Sequence, residues 1–488
     1  MRLVCHQQAA HCLNFKGFCP EMSTFVHLHC HSEYSLLDGA IRIEELCRQA
    51  AAFGLSAVAV TDHGAMHGAV HLCNGAARHK LKPIIGCEVY VCPDHTDRSP
   101  ETGKTRWHLV LLAQDLRGYR NLVKIVTKSS LEGFYHKPRV DKGILAAHSE
   151  GIIALSACLQ GEIPVAVRER GLNAALDLCR EYQGIFPDRF FLEVQSNGLR
   201  AQEEVNQGLV ELSRLSGLPL VATNDCHYLR REDAEAHDVL LCIQTKARVG
   251  DAGRMRMDTD QLYYKSPEEM EKAFAWAPEA VTNAGRIADL CVDYSAQLTP
   301  KGVYHFPRYE LPAGVSLDEE FRRMARAGLE GRLARLPADR DAETYKARLE
   351  MELEVIGRMG YQGYFLIVQD FIGWARRHGV PVGPGRGSAA GSLAAWALGI
   401  TNLDPIAYNL LFERFLNPDR KNLPDIDVDF CERRRPLVLQ YISDRYGADA
   451  VAQITTFGTL KTRAVIKDVG RALGIDFEET NRLAGLVG

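Results

Sequence analysis

The sequence predicts an α/β protein whose first half closes about seven β/α units into a distorted barrel and whose second half forms a separate α+β unit. Three observations predict it. Short apolar runs alternate with helix-like segments through the first half, the pattern of a parallel α/β domain. Fifteen of the seventeen histidines fall in residues 1 to 237, so the two halves differ chemically. Near residues 290 to 312 the strand signals give way to the Pro-containing stretch LTPKGVYHFPRYELPAG, and a helical region follows.

The 488 residues exceed what one core supports, so two or three domains are expected. With 46% hydrophobic and 25% charged residues the composition is that of an ordinary globular protein. A net charge of -4 excludes recognition of a polyanion through a global basic field; any such partner must meet a local patch. The fourteen cysteines include no C-x-x-C pair, which argues against zinc ribbons and for reduced thiols in a cytoplasmic protein. No apolar run approaches the ~18 residues of a membrane span, so no membrane partner is expected. The opening MRLVCHQQAAHCLNFKGFCPE lacks periodicity, and Met22, just ahead of a strand-like run, reads as the natural start.

The apolar runs are FVHLHCHS, SAVAVTDHG, KPIIGCEVYV, HLVLLA, GIIALSACLQG, FFLEVQ and LPLVATNDCHY. IRIEELCRQAAAFG, after the turn residues Asp38 and Gly39, is one of the intervening helices. In such barrels chemistry collects where strands end. His29 and His31 fall near the end of the first run, Asp38 in the next turn, and Asp62 and His63 after the second run. Glu88 lies in the third, and His108, Cys158, Asp225 and His227 follow. Alternate strand residues share a face, so His29 with His31, and Asp225 with His227, can each chelate as a pair. A lone residue of this kind is more often a satisfied core polar group, but so many at successive strand ends argue jointly for a centre. Imidazole, carboxylate and thiolate together suit zinc, manganese or iron better than magnesium or calcium, in two or three bridged ions.

HLHCHSEYSLLDG, TDHG, GCEVY, LSACLQGE and NDCHYL resemble the motifs of the polymerase and histidinol phosphatase (PHP) domain. The resemblance implies nine metal ligands: His29, His31, Asp38, His63, Glu88, His108, Cys158, Asp225 and His227. His27 lies outside the motif, and Asp62 is expected to orient its neighbour. A complete ligand set implies an active 3′-5′ exonuclease holding Zn2+ or Mn2+.

In the second half, Ser316 and Glu319 fit a capping box opening the helix FRRMARAGLEGRLARL, whose arginines are expected to form a solvated face. The loop Gly383 to Ser388 precedes a small-residue helix, an arrangement that lets backbone N–H groups and the helix dipole meet an anion, although a plain tight turn accounts for it equally well. It is not a Walker A loop. About thirty residues later, Asp425, Asp427 and Asp429 alternate with Ile426 and Val428, so a strand there would put three carboxylates on one face. That charge calls for cations, and two magnesium ions with a triphosphate would supply them. Arg386, Arg414 and Arg420 are placed to balance phosphate, or simply to pair with these acids.

GPGRGSAAGS and PDIDVDFC resemble the nucleotide-binding loop and metal-binding strand of the C family of bacterial DNA polymerases, most closely its replicative type, the polymerase III alpha subunits. The resemblance implies a polymerase beta-like nucleotidyltransferase palm with Asp425 and Asp427 catalytic on Mg2+, Asp429 accessory, and Gly387 and Ser388 on the incoming triphosphate. It also implies the order of parts: an extension over 1–22, a PHP domain over 23–295, the first part of the palm over 296–456 and the start of a helical thumb over 457–488. Arg463, Lys467 and Arg471, four apart on one helix face, then grip primer-template DNA, though a solvated stripe is the plainer account. Implied partners are DNA, deoxynucleoside triphosphates and, for a full-length protein, the sliding clamp, clamp loader and other replicase subunits. The competing expectations are a free-standing PHP-type phosphoesterase acting on a small phosphomonoester, an error-prone polymerase of the same family, and a non-catalytic scaffold.

Overall fold

A computed structural model describes residues 25–298, 305–337, 340–418 and 424–487. Met22, the segment before it and Arg420 lie outside the described residues. The chain divides into two compact units, one of residues 1–300 with 459–488, the other of 301–458.

In the first unit seven strands form one curled sheet: β1 Ala57–Val60, β2 Lys82–Val91, β3 Trp107–Ala113, β4 Arg139–Val140, β5 Ile152–Leu155, β6 Phe190–Gln195 and β7 Leu220–Thr223. The order is β1-β2-β3-β5-β6-β7, with β4 pairing β2 off this path. The run expected as the first strand is extended but makes no ladder. Instead it joins the two sheet edges by single bonds: Cys30 bridges Cys226, His31 N–H donates to the Cys226 carbonyl at 2.8 Å, and Thr61 N–H donates to the Cys30 carbonyl at 2.8 Å. It reaches its neighbours just past the ends of β1 and β7, so only isolated pairs can form.

The expectation of an all-parallel sheet needs correction: β3 runs antiparallel to both β2 and β5. No crossover helix separates β2 from β3, so the chain returns in the opposite direction. The strands are buried on both faces, with Val58, Ile84, Val110, Ile153, Leu192 and Val221 in one core. The helix Ile43–Ala52 covers it with Ile43, Leu46, Cys47 and Ala50, the spacing of one helical face.

The second unit is built on the helices Leu317–Leu333, Ala342–Arg358 and Gln362–Arg377 around Phe321, Leu353, Phe365 and Trp396. The capping box forms as expected, Glu319 N–H donating to Ser316 Oγ and Ser316 N–H to the Glu319 carboxylate. Arg326 pairs with Glu350 in solvent, whereas Arg332 stacks on Trp396. The expected strand at Asp425–Asp429 is instead an extended segment joined to the chain before the glycine loop by one bridge, Val382 to Phe430, and by Gly383 N–H donating to the Asp429 carbonyl at 2.8 Å. The alternation survives: Ile426, Val428 and Phe430 pack on the core, while Asp425 and Asp429 are exposed and Asp427 half-buried. No helix of the described residues is long and apolar enough to cross a membrane.

Candidate metal centre

All nine side chains expected as ligands converge. His29 and His31 leave the extended first segment on the same side, with their Nε2 atoms 3.2 Å apart. Asp38 comes from the turn that follows, His63 from the end of β1, and Asp225 and His227 from the end of β7. His108 sits at the beginning of β3, paired in register with Tyr90 near the end of β2. The reversed direction of β3 is therefore what carries its first residues to the rim where the parallel strands end. Ala157, just before Cys158, and Asp225 itself have left-handed backbones, φ 62° and 50°, a conformation costly for residues other than glycine and found where a site dictates side-chain aim.

Glu88 is the hub. Its oxygens lie 2.6 Å from His63 Nδ1, 2.8 Å from His108 Nδ1, 3.3 Å from His29 Nε2 and 3.6 Å from His31 Nε2. Cys158 Sγ is 4.0 Å from the same carboxylate and 3.7 Å from His108. Asp225 Oδ1 stands 3.2 Å from His29 Nε2, 3.1 Å from His31 Nε2 and 3.5 Å from His227 Nδ1. Asp38 Oδ2 stands 3.4 Å from His63 and 4.0 Å from His227. Burial disfavours charge on His63, but Glu88 and Asp38 outweigh it and raise the imidazole to about 10. Burial and the neighbouring His63 and His227 push His31 down to about 3. Asp225, against its burial, is held well below the carboxylate range by His29, His227 and His31.

This donor set fits bound cations. Asp38 Oδ1, His63 Nδ1, Glu88 Oε2 and Asp225 Oδ1 are buried and make no aligned hydrogen bond among the described residues, although His63 Nδ1 and Glu88 Oε2 are 2.6 Å apart and Asp225 Oδ1 is 3.1 Å from His31. Buried carboxylates in that state are costly unless cations share the site. Three overlapping groups, His31 with His63 and His227, His29 with His31 and Glu88, and His63 with Glu88 and His108, each bring their ligand atoms within 4.8 Å of one another.

Two supporting carboxylates differ in how visible they are in the sequence. Asp62 is engaged by neighbouring serines. It accepts from Ser32 N at 2.6 Å and Ser35 Oγ at 2.8 Å, and Ser35 Oγ in turn lies 3.0 Å from His31 Nδ1. Glu193 escapes the sequence reading altogether. It is buried in β6, 2.7 Å from His29 Nδ1, and also accepts from Thr223 and Gln195. A carboxylate in the middle of FFLEVQ was the available signal. His237, also unanticipated, is buried against His227 and donates Nε2–H to the Asp38 carbonyl at 2.6 Å. His27 faces away, its Nε2 donating to the Lys265 carbonyl.

In the second unit the glycine loop closes over the aspartates. Arg386 Nη1 lies 3.1 Å from Asp427 and its Nε 3.2 Å from Asp429. A Cβ on Gly387, whose φ is 68°, would stand 3.1 Å from Asp427 Oδ2. Ser388 opens a short 3-10 turn and is exposed. The expected anion-binding helix end needs correction. The helix is only Leu393–Ala397, and its N-terminus is taken: buried Glu352 accepts from Leu393 N and Ala394 N, both at 3.0 Å, and from Ser392 Oγ at 2.9 Å. Only loop and 3-10 N–H groups remain for an anion. Arg414 is exposed, with no ion pair to Asp425, Asp427 or Asp429 among the described residues.

The helix Thr462–Leu473 packs within the first unit, where Val249 N–H donates to the Ala472 carbonyl and Arg471 donates to the Ile243 and Ala247 carbonyls at 3.4 Å. Arg463 donates to the Val487 carbonyl at 2.7 Å, and Lys467 is exposed.

Comparison with known proteins finds a family match for each of the two regions. Residues 27–197 match the PHP domain, and residues 319–488 match the bacterial DNA polymerase III alpha NTPase domain. The DNA polymerase III subunit alpha of Treponema pallidum is 47% identical over 468 residues, 95% of this chain and 39% of that protein. That of Helicobacter pylori strain J99 is 43% identical over 96% of this chain and 40% of its own length, and that of Thermus aquaticus 44% over 95% and 42%. The chain thus spans about two-fifths of the length of these relatives. Over 95% of its length the chain is thus similar to bacterial DNA polymerase III alpha subunits, with a PHP domain ahead of a polymerase III alpha NTPase domain.

Proposed function

We propose that this chain is part of a replicative DNA-directed DNA polymerase and that its barrel is a separate metal-dependent 3′-5′ exonuclease acting on the primer end. The observation that carries the nuclease reading is the convergence of five ligand side chains on Glu88, in a site where Asp38 and Asp225 also carry buried oxygens that make no aligned hydrogen bond among the described residues. The nine ligands would hold two or three Zn2+ or Mn2+ ions, which supply an acidified water and a clamp on phosphate oxygens. Hydrolysis consumes one water: oxygen adds to phosphorus, the bond from phosphorus to O3′ breaks, and O3′ leaves with the electron pair and takes a proton. Around that event His29, held by Glu193, and His31, held by Ser35, keep their Nε2 atoms facing the centre.

At the polymerase unit, Asp425 and Asp427 would hold Mg2+ while Gly387, Ser388, Arg386, Arg414 and Arg420 receive the triphosphate. Primer-template DNA would lie along Arg463, Lys467 and Arg471. The sliding clamp, clamp loader and other replicase subunits belong to the whole protein. The test is release of nucleotides from a 3′-labelled primer, with bound transition metal counted in parallel. More than one equivalent of metal, and cleavage lost in Asp225→Ala, is expected. Full cleavage by a metal-free chain would defeat the proposal.

A further inference from the structure

A groove of about 420 Å3 borders the metal centre, walled by Cys158 and Asp225 of the ligand set and by Arg168, Arg200 and Arg256. Beside it is a hollow of about 570 Å3. Gln195, Asn197, Leu199 and Gln202 face both, and Asn206, Gln207 and Trp276 line the rest of the hollow. None of the arginines or amides is a metal ligand.

The groove is suited to phosphate. Among the described residues Arg200 pairs only with Glu204 at 3.0 Å and Arg256 only with Asp258 at 2.8 Å, both exposed pairs that a polyanion readily replaces. Arg168 is exposed and has no ion pair among the described residues. Of the acids facing the groove, Asp225 is engaged by three histidines and Asp258 by Arg256. The 17-residue helix Arg200–Ser216 begins in the groove without a side-chain cap, so its positive end faces the same space.

The hollow is suited to a base. Gln202 is 2% exposed, yet its Oε1 has no hydrogen-bond partner among the described residues. Trp276, 48% exposed, offers an indole face to any base regardless of sequence.

We propose that groove and hollow bind a single-stranded polynucleotide on the 5′ side of the scissile phosphodiester, with its next phosphate on Arg168 and Arg200 and its base among the amides against Trp276. The proposal rests on the nuclease reading for which bond is cut. A base can enter the hollow only when unstacked, so the site selects frayed ends over paired ones.

The test is anisotropy of 5′-fluorescein octathymidylate with the whole chain. Arg168→Ala/Arg200→Ala is expected to weaken binding at least tenfold and to reduce the salt slope by about 0.7, one single-strand phosphate contact. Trp276→Ala is expected to weaken it at least threefold. Bound metal per chain, measured on each variant, stays at the wild-type value if these residues bind strand rather than support the centre. Affinities within twofold of wild type, or loss of metal from the variants, overturn the proposal. A wild-type chain that leaves primer ends uncut would defeat the nuclease reading alone, because the anisotropy still decides the groove.

Discussion

Glu193 Oε1 accepts a hydrogen bond from His29 Nδ1 at 2.7 Å, and both side chains are fully buried. With its Nδ1 proton held by Glu193, His29 keeps Nε2 aimed between Glu88 and Asp225, where a bound cation would take its lone pair. Replacing Glu193 by Leu should lower metal affinity about 10- to 100-fold without removing a ligand. Metal titration of the apo chain checks this, and an unchanged affinity would show that His29 is oriented by something else.

The three central carboxylates should not be equivalent. Glu88 meets five ligand side chains, whereas the Asp38 carboxylate meets only His63 and His227 among the described residues. Glu88→Gln is therefore expected to lose more ions per chain than Asp38→Asn. Elemental analysis after dialysis reads the order directly; equal losses would contradict a hub at Glu88.

How far the sequence foresaw this centre depends on the range of each signal. His29 with His31, and Asp225 with His227, are legible because a two-residue period is local. That the pairs meet is a long-range fact, inferable only from so many candidates falling at run ends. The direction of β3 was not legible, since an apolar run such as HLVLLA reads the same either way, and it is this direction that brings His108 to the site. Glu193 was hidden for another reason: its partner, His29, lies 164 residues away. In the second unit the alternation of Asp425, Asp427 and Asp429 was readable, but the absence of a strand ladder among the described residues depends on which segments come alongside.

Glu352 should be a stability residue of the second unit. It accepts from Arg348 Nε on its own helix at 2.7 Å, and from Ser392 Oγ and two backbone N–H groups at the buried start of Leu393–Ala397. Glu352→Ala leaves these donors unmatched and is expected to cost about 3 kcal/mol. The urea midpoint of the chain measures it, and a shift worth under ~1 kcal/mol would mean that water replaces the carboxylate.

Gly387 should be intolerant of any side chain. Its φ of 68° with ψ -156° lies in a region essentially confined to glycine and costs an L-residue roughly 1–3 kcal/mol, and a Cβ would press on Asp427 at 3.1 Å. Gly387→Ala in the complete polymerase is therefore expected to raise KM for nucleotide at least tenfold. Unaltered nucleotide dependence would reduce the loop to a plain turn.

Arg386 bridges Asp427 and Asp429, and the pairing raises a question of competition. Its side chain is 59% exposed, Asp427 39% and Asp429 61%, so the pair is screened by solvent and contributes little to stability. A divalent cation, with twice the charge and a demand for carboxylate oxygen, should displace the guanidinium, which is then free to meet the incoming phosphates. Two outcomes follow in the complete polymerase. Arg386→Ala should raise KM for nucleotide while moving the unfolding midpoint by less than about 2 °C. Asp427→Ala should abolish primer extension yet leave the metal content of the barrel intact, because Glu88 and its neighbours share no residue with this site. Primer extension that survives Asp427→Ala would remove the aspartate from the chemistry and leave Arg386 as its structural partner only.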